Sequence, residues 1–113
     1  MPEPATIVFP VSDLDAAKAV YTALLGEPYA DTPYYVGYRA GGPEVALDPT
    51  GHQKGMTGPV VYWPCDDIRA RLDELAAAGA TLTMDATDVG GGMQVGFVTD
   101  ADGNHLGFTQ APA

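Results

Sequence analysis

The sequence predicts an α+β domain built from two paired β-α-β-β-β modules. Two observations carry that expectation. Hydrophobic spacing switches between a strand period of 2 and a helical period near 3.6. An internal repeat also aligns Val11-Ser12-Asp13-Leu14 with Cys65-Asp66-Asp67-Ile68, an offset of 54 residues. The glycines that close the two predicted helices, Gly26 and Gly79, fall 13 and 12 residues after Asp13 and Asp67. At 113 residues the chain suits one domain, 1–113. Its first module covers about 5–48, a linker about 49–58, and a second module about 59–110. Each module is too small to bury a sheet face alone, so the two are expected to pair.

The elements follow in order. "TIVFPV", residues 6–11, is a β-branched and aromatic run that reads as a strand. Ser12 opens "SDLDAAKAVYTALLG", where Ser12 and Asp15 fit a capping box. Leu14, Ala17, Tyr21, Leu24 and Leu25 recur with helical spacing, and Gly26 ends the pattern. "YYVGYRA" and "EVALD" are shorter strand candidates around a "GGP" turn. In the second module "GPVVYWPC" reads as a strand and "DDIRARLDELAAAG" as a helix presenting Ile68, Leu72 and Leu75. "ATLTM", "MQVGFVT" and "NHLGFTQ" complete the set. The glycines of "DVGGGMQ" lack the spacing and following helix of a phosphate loop, and read as a hairpin loop.

Composition narrows the function classes. Fifteen acids against five bases give a formal net charge of −10, which opposes binding to nucleic acid or anionic lipid. No apolar run approaches the roughly 20 residues of a spanning helix, and "MPEPAT" lacks a basic leader, so a cytoplasmic protein is expected. One cysteine, Cys65, excludes an internal disulfide and a cysteine-based zinc cage.

"FPVSDLDAAKAVYTALLG" and "VTDADGNHLGF" resemble the opening and closing segments of the vicinal oxygen chelate superfamily. This is the group of glyoxalases, bleomycin-resistance proteins and extradiol dioxygenases. The resemblance implies curved mixed sheets that enclose a cavity, commonly in a homodimer. It also implies a divalent metal held by His, Gln or Glu from the first and last strands of each module. Carried over residue by residue, those positions are Thr6, Ala46, Val60 and Gly107; sliding the third by two residues gives Gly58. None bears an imidazole, carboxylate or thiolate. The sequence therefore predicts no metal, no cofactor and no catalytic residue.

Strand alternation places His105 and Gly107 on the cavity face, with Leu106 and Phe108 turned towards the core. Thr6, Val8 and Pro10 share one face, as do Val60, Tyr62 and Pro64; Ile7, Phe9, Val11, Val61, Trp63 and Cys65 turn towards the helices. Tyr34, Tyr35 and Tyr38 read either as ordinary strand residues or as an aromatic wall. The cavity candidates are Thr6, Val8, Tyr34, Tyr35, Tyr38, Val60, Tyr62, Met93 and His105. A lone imidazole is a structural or rim residue more often than a ligand contact, and both readings of His105 stand. His52 is expected in an exposed loop. The expected activity is metal-independent binding of a small organic molecule, cationic or aromatic, including antibiotic sequestration of the bleomycin-resistance type. A lyase, glyoxalase or dioxygenase with a displaced site is the alternative.

Overall fold

The computed structural model describes residues 6–39 and 41–112. Residue 5, the expected start of the first module, and Ala40, the end of the "YYVGYRA" candidate, lie outside the described residues. The chain runs β1 (Thr6–Pro10), α1 (Leu14–Leu25), β2 (Ala30–Thr32), β3 (Tyr35–Arg39) and β4 (Glu44–Asp48). After a 3₁₀ turn (His52–Lys54) come β5 (Val60–Pro64), α2 (Ile68–Ala77), β6 (Thr81–Asp88), β7 (Gln94–Thr99) and β8 (His105–Gln110). The fold is α+β, and no described helix is long and apolar enough to cross a membrane.

The strands form one open sheet in the order β2-β3-β4-β1-β5-β8-β7-β6. Read outward from the centre, the two halves repeat one arrangement, because β1 pairs parallel with β4 as β5 does with β8. The halves meet antiparallel at β1 and β5, with Val8 opposite Val60 and Thr6 opposite Tyr62. The 54-residue repeat in sequence is thus a repeat in space.

Both helices begin at the repeated aspartate. Asp13 accepts the Ala16 N–H at 3.0 Å, and Asp67 accepts the Ala70 N–H at 3.1 Å. The capping box expected at Ser12 is replaced by this cap. The chain is still extended at Asp13 (φ −124°, ψ 98°), and a helix starting at Leu14 turns Leu14, Ala17, Tyr21 and Leu25 onto the sheet. Gly26 ends α1 with φ 88°, as its position predicts. In α2 the cap is Ala78, and Gly79 follows it with φ 116°.

Alternation divides the core. On the helix side, α1 covers Val36, Tyr38 and Leu47, while Ile68 and Leu72 of α2 pack on Val98, Leu106 and Phe108. Trp63 meets Phe108 there, with ring centroids 6.3 Å apart. The opposite face carries Val8, Ala46, Val60, Tyr62 and Phe97, with Met56 packed on them from the segment after β4.

Candidate ligand-binding site

The face away from the helices holds a cavity of about 310 Å³. Val8, Met56, Met84, Val89, Met93 and Val95 give it apolar walls, and Tyr35 and Tyr62 contribute rings. Its polar groups are Thr6, Glu44, Asp48, Lys54 and Thr109. The volume lies at the small end of the roughly 300–1,000 Å³ of typical ligand pockets.

Two strand glycines shape the floor. A Cβ on Gly107 would lie 2.6 and 2.7 Å from ring carbons of Tyr62 and 2.9 Å from Val60 Cγ1. The Tyr62 ring therefore lies on the backbone of β8, in space a side chain at 107 would need. Gly37 does the same for β3: its missing Cβ leaves room for Tyr29, Tyr35 and the Glu44 carboxylate, all within 3.1 Å of that point. The Tyr35 hydroxyl donates to Glu44 Oε2 across Gly37. Tyr62 is buried, and burial, reinforced by the charge of Asp48, pushes its phenol well above the usual tyrosine range.

Asp48 anchors another wall. Its Oδ1 accepts the N–H and hydroxyl of Thr50, each at 2.9 Å, and its Oδ2 pairs with Lys54 Nζ at 2.7 Å. Burial alone would raise this carboxyl, but Lys54 and the Thr50 bonds outweigh it and hold Asp48 below its ordinary value. A depressed folded-state value means stability present above the ordinary aspartate range near 4 and lost as pH falls below it. Asp48→Asn keeps the Thr50 acceptor and loses the Lys54 charge pair, a cost of about 1 kcal/mol near neutral pH. Urea unfolding should show that gap narrowing as pH falls below about 4; a gap of constant size would contradict this role for Asp48.

His105 sits beside the cavity and outside its lining. It is 7% exposed, with Nε2 accepting the Thr57 N–H at 3.0 Å. That contact leaves the ring proton on Nδ1, which donates to Thr99 Oγ1 at 3.0 Å. Thr99 and Thr83 hydroxyls meet at 2.6 Å, and Thr83 Oγ1 continues to the Thr81 carbonyl at 3.4 Å. The imidazole thus ties the inter-module segment to β8, β7 and β6, and Phe97 meets it edge-on with centroids 5.0 Å apart.

Of the nine candidates, Thr6, Val8, Tyr35, Tyr62 and Met93 line the cavity together. Val60 is buried beside them in the same cluster. Tyr38 lies on the opposite face, because β3 alternation turns it under α1, where its hydroxyl meets Thr22 Oγ1 at 2.9 Å. Tyr34 occupies the turn before β3 and is 79% exposed. His52 is exposed in the 3₁₀ turn. Alternation already contained three residues left out of the nine: Glu44 and Asp48 share the parity of Ala46, and Thr109 that of Gly107. Met56 and Val95 depend on strand order and loop path, which a single sequence does not display.

A family model described as Glyoxalase/Bleomycin resistance protein/Dioxygenase superfamily matches residues 4–108. The chain belongs to this superfamily. A Mycobacterium bovis relative named "Putative glyoxylase CFP32" is 32% identical over 111 residues, covering 88% of this chain and 42% of that protein. The chain therefore spans about two-fifths of the length of this curated relative. Among solved structures, a Mycobacterium tuberculosis methylmalonyl-CoA epimerase aligns at 17% identity with a TM-score of 0.65, over 98% of this chain and 88% of its own. The Mn(II)-bound glyoxalase of Novosphingobium aromaticivorans aligns at 18% and 0.64, over 99% of this chain and 41% of its own. At those identities the structural likenesses establish the fold.

A divalent metal such as the manganese of that glyoxalase does not fit these residues. Thr6, Ala46, Val60 and Gly107 offer no strong donor, and the Tyr62 ring lies over Gly107. Glu44 and Asp48, the cavity carboxylates, are bonded to Tyr35 and Lys54. Among the described residues no group of three or more His, Cys, Asp or Glu is placed to hold a metal ion.

Proposed function

We propose that the chain binds a small organic molecule in this cavity and does so without a metal. The observation that carries the reading is the Tyr62 ring over Gly107, which turns the family's metal-ligand position into an apolar, aromatic floor. Three methionines on the walls suit ligands of varied outline, since thioether side chains repack at little cost. Sequestration of an antibiotic, the finer form of this reading, then applies to a compound, or a part of one, small enough for the cavity.

The neutral fluorophore phenylnaphthylamine should bind one per chain with a rise in emission. Met93→Trp, which puts bulk at the cavity wall, should weaken that binding at least tenfold. Nickel, zinc, manganese or ferrous ions, added singly, should leave the melting temperature unchanged. Stoichiometric, stabilising metal binding would sink the metal-independent reading. Fluorophore binding that ignores Met93→Trp would sink the cavity.

An enzyme with a displaced site is the second reading, favoured by the two cavity carboxylates Glu44 and Asp48. In that case Glu44 is the candidate proton acceptor, because Asp48 already forms an ion pair with Lys54.

A further inference from the structure

We infer that the cavity selects a protonated aliphatic amine carried on an apolar or aromatic body, with Glu44 as the recognition residue. This rests on the binding role proposed above and names the ligand class. The two cavity carboxylates are not equivalent. Asp48 is neutralised by Lys54 at 2.7 Å and takes both Thr50 bonds. Glu44 forms no ion pair among the described residues; its Oε2 receives the neutral Tyr35 hydroxyl, and the Tyr29 phenol also interacts with its carboxylate. Two carboxylates and one ammonium leave the cavity with one net negative charge, and Glu44 is the group that carries it.

The basic residue nearest in register, Arg39, pairs with Glu44 across β3 and β4. Its guanidinium stacks on the neighbouring Tyr29 ring, 4.2 Å from the centroid, and forms no ion pair with Glu44 among the described residues. The two phenols that interact with the Glu44 carboxylate, Tyr35 and Tyr29, are neutral, so neither cancels its charge. The Tyr35 ring is pinned beside this carboxylate, because its hydroxyl is bonded to Oε2 and Gly37 lets it lie close to the sheet.

An ammonium here would meet a carboxylate oxygen and the face of an aromatic ring, the two partners that stabilise a desolvated cation. Thr6, which faces Glu44 on one side and Tyr62 on the other, adds a hydroxyl acceptor in the same row. The methionine and valine walls then take the apolar body. An anionic ligand would instead oppose the net charge of both the cavity and the chain.

The test is displacement of phenylnaphthylamine by three compounds of matched size: phenethylamine, phenylethyl alcohol and hydrocinnamate. With the native protein the amine should displace at a concentration at least tenfold below the alcohol, and the carboxylate should be weakest. Glu44→Gln should bring amine and alcohol within threefold of each other, each measured against the fluorophore's own affinity for that variant. Equal displacement by amine and alcohol in the native protein would overturn the amine preference and leave the cavity standing. An amine preference that survives Glu44→Gln would overturn the role of Glu44. Failure of the fluorophore itself to bind would remove the cavity reading and this inference with it.

Discussion

Tyr62→Ala should cost about 3–5 kcal/mol, the range for truncating a buried aromatic side chain. The ring is 4% exposed, packs with Val8, Val60 and Phe97, and covers the backbone at Gly107. At about 4 °C per kcal/mol for a domain of this length, the melting temperature should fall by about 12–20 °C. Gly107→Ala attacks the same contact from the other side. Its Cβ would approach ring carbons at 2.6 and 2.7 Å, closer than packed atoms come, so overpacking of about 1–3 kcal/mol is expected.

The two substitutions should not add. Once Tyr62 is gone, the two closest of the methyl's three nearest contacts vanish and Val60 Cγ1 at 2.9 Å remains, so the double variant should be more stable than the sum by about 1 kcal/mol or more. Urea unfolding of the four proteins measures the difference. Additivity within about 0.5 kcal/mol would show that the ring does not occupy the space above Gly107. Gly107→Glu extends the logic: the carboxylate typical of this superfamily cannot enter here unless Tyr62 leaves.

That contact explains what was legible in the sequence. The absence of a metal donor at Thr6, Ala46, Val60 and Gly107 could be read from the residues alone. The space at Gly107 could not, because Tyr62 reaches it from the neighbouring strand, and the β5–β8 pairing is 45 residues distant in sequence, from Tyr62 to Gly107. Local patterns did better. The helix-facing Leu14, Ala17, Tyr21 and Leu25 and the split between Tyr62 and Trp63 follow from periods of 3.6 and 2, whereas Leu24, read with the first set, is exposed. The strand Ala30–Thr32 carries no alternating hydrophobic signal, being three residues long and mostly exposed, so only its pairing with β3 reveals it. Tyr38 shows the cost of treating a cluster of tyrosines as one wall. Tyr35 and Tyr38 are three apart on a strand, so they must face opposite sides.

His105→Ala should cost about 3 kcal/mol and leave ligand affinity within threefold of native. The stability loss has two sources. Thr57 N–H and the Thr99 hydroxyl lose their partner, at about 1 kcal/mol or more each, and the space under Phe97 is emptied. The affinity should hold because His105 does not line the cavity; its two nitrogens are both occupied within the protein. His105→Gln, which retains an acceptor and a donor, should recover part of the loss, and hydrogen exchange at the Thr57 amide should quicken in the alanine variant but less so in the glutamine one. If His105 instead served a ligand or a reaction, the pattern would invert, with unfolding little changed and phenylnaphthylamine affinity down tenfold or more. The directional chain from Thr57 through His105, Thr99 and Thr83 to the Thr81 carbonyl favours the first outcome, because a ligand that took either ring nitrogen would break it.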